Sequence, residues 1–340
     1  MLRNIQTEQD MKNPRRIVFC ALFIWLCCAN IGAKPIRHYV FFGQDREQIK
    51  EAKSFLETKA LEGAQVAYSW RQLEPQKDEY DFASIREDLA FLSSKGKKLF
   101  IQLQDVTFSE ARINVPRYLV DEPRYNGGAA KQYEYNEGYE DKAKVAGWMA
   151  RRWDSAVQER FHKLLVALGK EFDGRIEGIN LAETAFDIGE TGQLFPPGFT
   201  FEIYRDGIIT NMKALKSAFP KSVTLEYANF MPGEQAYLQA VYKAAKELHV
   251  GVGGPDLLPY KKGQMNNSYP LIRASAGIVP IGMAVQDGNY EHKNPKTGKR
   301  VTILEIVEFA TEYLKVDYVF WCRQEPYYSK QVMPLLKRGK

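Results

Sequence analysis

Cysteine is scarce in this 340-residue chain, and its placement rules out a disulfide-stapled fold. Three of the four, Cys20, Cys27 and Cys28, fall within the first 33 residues, which leaves Cys322 without a partner in the remainder. Histidine is equally sparse. His38, His162, His249 and His292 are scattered, with no H-E-x-x-H and no cysteine pair beside them, which argues against a metal hydrolase, and no metal or cofactor is expected. No G-x-S-x-G elbow supports a serine triad, and no G-x-G-x-x-G or Walker sequence follows an early strand. Charge of one sign is lacking too. The 47 basic and 42 acidic residues give +5 spread along the chain, without the concentrated basic face that nucleic acid requires. A hydrophobic share of 45% with 25 Gly and 16 Pro also argues against disorder, collagen-like repeats or a coiled coil.

The longest apolar run, Ile17 to Ala29, is short of the ~20 residues that span a membrane. Preceded by Lys12-Asn13-Pro14-Arg15-Arg16 and followed by Asn30-Ile31-Gly32-Ala33, it reads as a signal peptide over about 11–33. The expectation is an exported product, periplasmic or secreted, with no stable membrane insertion after cleavage. A retained signal anchor is the competing reading. Residues 34–340 then form the folded part.

Beyond residue 37 short apolar runs alternate with helical spacing. Strands are predicted at Tyr39–Gly43, Gly63–Trp70, Lys98–Gln104, Ile176–Asn180, Val223–Tyr227, Val250–Gly253, Val279–Val285 and Tyr318–Trp321. Helical spacing lies between them at 46–60, 82–95, 200–218, 234–248, 269–276 and 302–315, after Asp154 as a cap, and at 328–337 as a last turn. Eight βα units close naturally into a single α/β (β/α)8 TIM barrel, and two open-sheet domains are the alternative. One connection, about 105–147, is too long for an ordinary loop and rich in tyrosine, which suggests an insertion over the barrel mouth.

In such a barrel the site is built where strands end. The ends here carry Trp70 and Arg71, Gln102 and Gln104, Asn180 and Glu183, Glu226, Tyr227 and Asn229, Asp256, Gln286 and Asp287, then Trp321 and Glu325. Amides and carboxylates bind hydroxyl arrays, and indole faces stack on the C–H face of a sugar, so the inventory suits a carbohydrate.

The run Gly63-Ala64-Gln65-Val66-Ala67-Tyr68-Ser69-Trp70-Arg71-Gln72-Leu73-Glu74-Pro75, followed by Tyr80-Asp81-Phe82, resembles the second-strand region of clan A glycoside hydrolases. Val115-Pro116-Arg117-Tyr118-Leu119, Trp153-Asp154 and Tyr318-Val319-Phe320-Trp321 look similar to the same clan. The resemblance implies a barrel acting on glycosidic bonds, with Glu183 as acid/base at the fourth strand and Asp287 as nucleophile or base at the seventh. The sequence departs from the clan at both. Leu181 and Ala182 separate Asn180 from Glu183, and Gln286-Asp287 stands where a Glu is expected. Glu226 and Glu325 are therefore alternative second carboxylates. Trp70, Arg71, Gln102, Gln104, Asn180, Tyr227, Asn229, Gln286 and Trp321 are the candidate substrate-binding residues. The blander readings stay beside these: Glu183 as a loop brace, Asp287 as a turn-former before Gly288, the two tryptophans as core, Arg71 paired with Glu74.

Glycoside hydrolysis needs two carboxyl groups flanking the bond. The expected function is an exported glycoside hydrolase acting on an oligo- or polysaccharide. The alternatives are a non-catalytic carbohydrate-binding barrel and a surface protein that captures a partner through the tyrosine-rich segment.

Overall fold

A computed structural model describes residues 35–136 and 139–338 of the chain. The signal-peptide reading of about 11–33, with Cys20, Cys27 and Cys28, lies outside the described residues. Among those described, no helix is long and apolar enough to cross a membrane.

Eight parallel strands close into a barrel. They are β1 (Arg37–Phe41), β2 (Leu61–Ser69), β3 (Lys98–Gln104), β7 (Gly178–Leu181), β8 (Val223–Tyr227), β9 (Gly251–Gly254), β10 (Ile281–Val285) and β11 (Tyr318–Trp321), with β1 pairing both β2 and β11. Each overlaps one of the eight apolar runs. The intervening β4 (Val106–Thr107), β5 (Ala129–Glu134) and β6 (Lys144–Ala150) form a separate antiparallel sheet within the long insertion. That sheet was not foreseen.

The wall helices begin where capping chemistry allows. Asp154 Oδ1 accepts from the amides of Ala156 and Val157 at the start of the helix Ser155–Phe172, and Thr200 Oγ1 accepts from Ile203 at the start of Phe201–Ala218. Gln235–Leu248 follows as expected, whereas 46–60 yields only the short pieces Gln48–Glu51 and Lys53–Glu57.

Side chains fill the lumen in layers, as expected of a small parallel barrel. At the bottom, Arg37 pairs with Glu177, which also accepts from the Tyr318 hydroxyl at 2.8 Å. Above it Tyr39, Phe100, Leu225, Ala284 and Phe320 form an aromatic plug. The next layer is polar: the Gln65 amide donates to Asn180 Oδ1 at 2.9 Å and to the Tyr227 hydroxyl at 3.0 Å. The parity of β8, β10 and β11 follows from this stacking. Leu225 and Tyr227, Gly282 and Ala284, and Tyr318 and Phe320 face in, so their neighbours Glu226, Met283 and Trp321 face the helices.

Candidate active site

Over the polar layer opens a cleft of about 310 Å³. The barrel strands contribute Phe41, Ala67, Gln102, Gln104 and Tyr227, and the segments after the strands add Ala182, Glu183, Pro255 and Gln286. The insertion lends Val106, Thr107, Phe108, Arg112 and Asn114, which places it at the mouth. A second cleft of about 460 Å³ adjoins the first, sharing Phe41, Gly43 and Gln286 and bringing in Asp45, Gln48, Asp287, Cys322, Arg323 and Gln324.

Glu183 is the carboxyl of the first cleft. Strand β7 ends at Leu181, and the two extra residues relative to the clan pattern carry the chain off the strand before Glu183 turns into the cleft. Its Oε2 accepts from Asn229 Nδ2 at 2.6 Å. Burial raises its pKa above the ordinary carboxylate value; the Asn229 hydrogen bond opposes this and the nearby Asp256 charge adds to it. A carboxyl whose burial favours the protonated form, beside polar ligands, is suited to general acid work.

The other sequence candidates divide by which way their strands point them. Gln102 and Gln104 both line the cleft, as alternation along one strand requires, and Tyr227 and Gln286 join them. Asn180 lies one layer lower, fully buried against Gln65, and Asn229 reaches the cleft only through Glu183. Asp287 is exposed in the adjoining cleft, beside the buried Cys322 thiol, which burial pushes up to about 12.

Several expectations are corrected. Trp70 and Trp321 are fully buried core residues, not platforms. The Trp70 indole donates to Glu74 Oε2 at 2.8 Å and packs on Phe161, while Trp321 faces the helix side of β11 and donates to His38 Nδ1 at 3.1 Å. Burial lowers the His38 pKa to about 4, so its neutral ring accepts that bond. Arg71 is exposed, donates to the Val115 carbonyl at 2.9 Å and lines neither cleft. Arg160 takes Glu74 instead, in a buried ion pair that also draws in the Tyr118 hydroxyl. Glu325 is exposed and accepts from Ser329, away from both clefts. Glu226 points into the barrel wall, only 1% exposed, with neither carboxyl oxygen hydrogen-bonded among the described residues. The tyrosines of the insertion also scatter: Tyr125 is buried, Tyr118 packs on it, and only Tyr139 stands well exposed among them.

Sequence reasoning missed two contributors and the role of a third. Phe41 and Phe108 supply apolar ring faces to the cleft, Phe108 from the insertion at 68% exposure. Asp256, just past β9, pairs with Lys261 Nζ at 2.5 Å through Oδ2 and accepts from Asn289 Nδ2 at 2.9 Å through Oδ1. Asn289 in turn accepts from the Gln286 amide at 2.9 Å, so Asp256 braces the end of β10. Its strand-end position was legible; its partners, 5 and 33 residues downstream, were not.

No family model matches the chain, and no curated protein matches it. Among solved structures, the catalytic domain of the β-amylase from Paenibacillus polymyxa is similar at 12% identity and a TM-score of 0.57, covering 85% of this chain and 92% of that one. Endo-glycoceramidase II from Rhodococcus sp. is similar at 13% identity and a TM-score of 0.50, covering 84% and 73%. At such identities the likeness is one of fold: the chain is a closed (β/α)8 barrel of the architecture shared by these two glycosidases.

Proposed function

We propose that the protein is an exported glycoside hydrolase in which Glu183 protonates the leaving glycosidic oxygen. The observation that carries this reading is Glu183 itself: a carboxyl with a raised pKa, held by Asn229, aimed into a cleft whose other polar lining is amides, hydroxyls and the Arg112 guanidinium, with two phenylalanine rings beside them. Amides, hydroxyls and the Arg112 guanidinium can all exchange hydrogen bonds with sugar hydroxyls, and the rings of Phe41 and Phe108 offer the stacking surface that the buried tryptophans do not. Asp287 is assigned the second carboxylate role, reaching the substrate from the adjoining cleft across Gln286. Asp256 has both oxygens engaged by Lys261 and Asn289, which suits it to holding the proton on Glu183 rather than to attacking a sugar. The two joined clefts fit more than one sugar unit, hence an oligo- or polysaccharide.

The test is turnover of an aryl glycoside and polysaccharide panel by the native protein and by Glu183→Gln. Loss of a proton donor costs roughly 10²–10⁴ in rate. Undiminished turnover by Glu183→Gln overturns the mechanism. A second reading is favoured by one observation, that an amide, Gln286, rather than a carboxylate faces the first cleft from just past β10. On it the barrel binds sugar without cutting, and calorimetry detects binding that Gln104→Ala weakens while no reducing ends are released.

A further inference from the structure

The segment that carries Glu183 is held by a buried ion pair in the barrel wall. Asp105, directly after β3, and Arg152, just after β6, lie at the two ends of the insertion, and both are almost fully buried. Arg152 Nε and Nη2 donate to the two Asp105 oxygens at 2.8 and 2.6 Å, the bidentate fork that fixes a guanidinium in plane. The same guanidinium turns outward to donate from Nη1 to the Glu183 carbonyl at 2.9 Å and from Nη2 to the Ala182 carbonyl at 3.4 Å. On the other side of Glu183, the Thr184 amide donates to the Tyr227 carbonyl at 2.9 Å and the Thr184 hydroxyl to the Phe230 carbonyl at 2.6 Å. The backbone of the acid is thus pinned before and after.

A buried ion pair is a poor source of net stability, because desolvating both charges offsets most of their attraction. Its retention calls for another role, and the two backbone carbonyls supply one. Glu226 sharpens the point. It lies beside Asp105, Arg152 and Asn211 in the wall with both oxygens unpartnered among the described residues, so of the three ionisable groups there only Asp105 and Arg152 are engaged with each other.

We propose that Arg152, oriented by Asp105, is a positioning residue for Glu183: it couples the folded insertion to the acid by fixing the carbonyls of residues 182 and 183. The proposal rests on the assignment of Glu183 as proton donor. A small displacement of a catalytic group is enough to cost on the order of 10²-fold.

The experiment compares the native protein with Arg152→Lys, which keeps the charge but cannot engage Asp105 and two carbonyls together. A double variant, Asp105→Leu with Arg152→Met, replaces the pair by apolar groups and guards against failure to fold. The first readout uses 2,4-dinitrophenyl and 4-methylumbelliferyl glycosides of the sugar the native protein turns over fastest. The dinitrophenolate leaves without protonation, so a misplaced acid lowers kcat/KM by roughly 10² for the poorer leaving group and by less than about threefold for the better one. An equal loss on both, or none, overturns the proposal. The second readout needs no turnover: a carbon-13 titration of the Glu183 carboxyl, assigned through Glu183→Gln. A midpoint moved by Arg152→Lys, with charge retained, supports positioning; an unmoved midpoint overturns it. If the native protein releases no sugar at all, the hydrolase reading falls, and the titration still decides whether Arg152 positions Glu183.

Discussion

Ionising Glu226 would set a second carboxylate against the Asp105–Arg152 pair with no donor to receive it, and burial accordingly pushes its pKa up to about 8 from an ordinary value of 4.5. The Arg152 charge works against this shift and Asp105 works with it. Below about pH 4.5 the carboxyl is protonated whether the chain is folded or not, and contributes nothing to the pH dependence. Between there and about pH 8 the unfolded chain releases the proton and the folded chain keeps it, so stability declines as pH rises and levels off above the folded pKa. Glu226→Gln removes that slope. Relative to the native protein it should be no more stable at pH 4 and more stable at pH 8, by up to about 4 kcal/mol. Urea unfolding at the two pH values checks this, and an equal effect at both would mean that the carboxyl ionises freely in the fold. Asp256 is the complementary case at the cleft. Its charge helps keep the proton on Glu183, so Asp256→Asn should lower the Glu183 pKa and move the basic limb of the pH–rate profile to lower pH. A limb that stays put, measured as kcat/KM on an aryl glycoside, would show that the two carboxyls do not communicate.

Helix Ser155–Phe172 shows what an element adds that single residues do not. Its Arg160 holds the buried Glu74, the glutamate of the Leu-Glu-Pro run that carries the clan resemblance, and with it Trp70, Tyr118 and Asp78. The run is therefore a structural clasp between β2, the insertion and this helix, not a part of the cleft. Arg160→Leu leaves Glu74 buried and uncompensated and should cost about 3–5 kcal/mol by denaturant unfolding, with KM of the remaining folded fraction unchanged. A loss below about 1 kcal/mol would mean that Glu74 finds other partners. Which elements exist was legible in the sequence, because eight apolar runs separated by 3.6-period stripes leave few architectures. Which way their side chains point was legible only in part. Parallel strands are buried on both faces, so hydrophobicity does not mark the lumen side. Trp321 and Glu226 were assigned to the cleft on strand-end position alone. Yet Glu226 and Tyr227 are consecutive in one strand and could not both face inward, a contradiction visible without a structure. The sheet of the insertion escaped notice for a different reason: Ala129–Glu134 is half polar, with Lys131 and Glu134 exposed, and its pairing partner lies some ten residues on.

Closure of the whole barrel depends on lumen layers whose sizes match around the ring, and glycines on its strands mark where there is no room for a side chain. Gly63 on β2 and Gly178 on β7 lie against the rings of Tyr39 and Phe100. A Cβ at 63 would stand 2.2 Å from the Lys98 carbonyl oxygen and 2.5 Å from the Tyr39 ring, contacts that neither a rigid neighbouring strand nor a ring locked in the aromatic plug can relieve by rotation. The plug sits beneath the Gln65, Asn180 and Tyr227 layer that floors the cleft, so strain there is transmitted to the site rather than absorbed at a loop. Gly254, at the end of β9, is the contrasting position. A Cβ there meets Asn229 and Met283 at 3.6 and 3.7 Å, ordinary contact distances. Gly63→Ala should therefore destabilise the barrel by about 1–3 kcal/mol and lower activity in the fraction that stays folded, whereas Gly254→Ala should lie within about 0.5 kcal/mol of the native protein. Thermal and urea unfolding of the two variants side by side make the comparison. Equal stability would mean that the lumen repacks freely, and the layered plug would then not be what fixes the floor under Glu183.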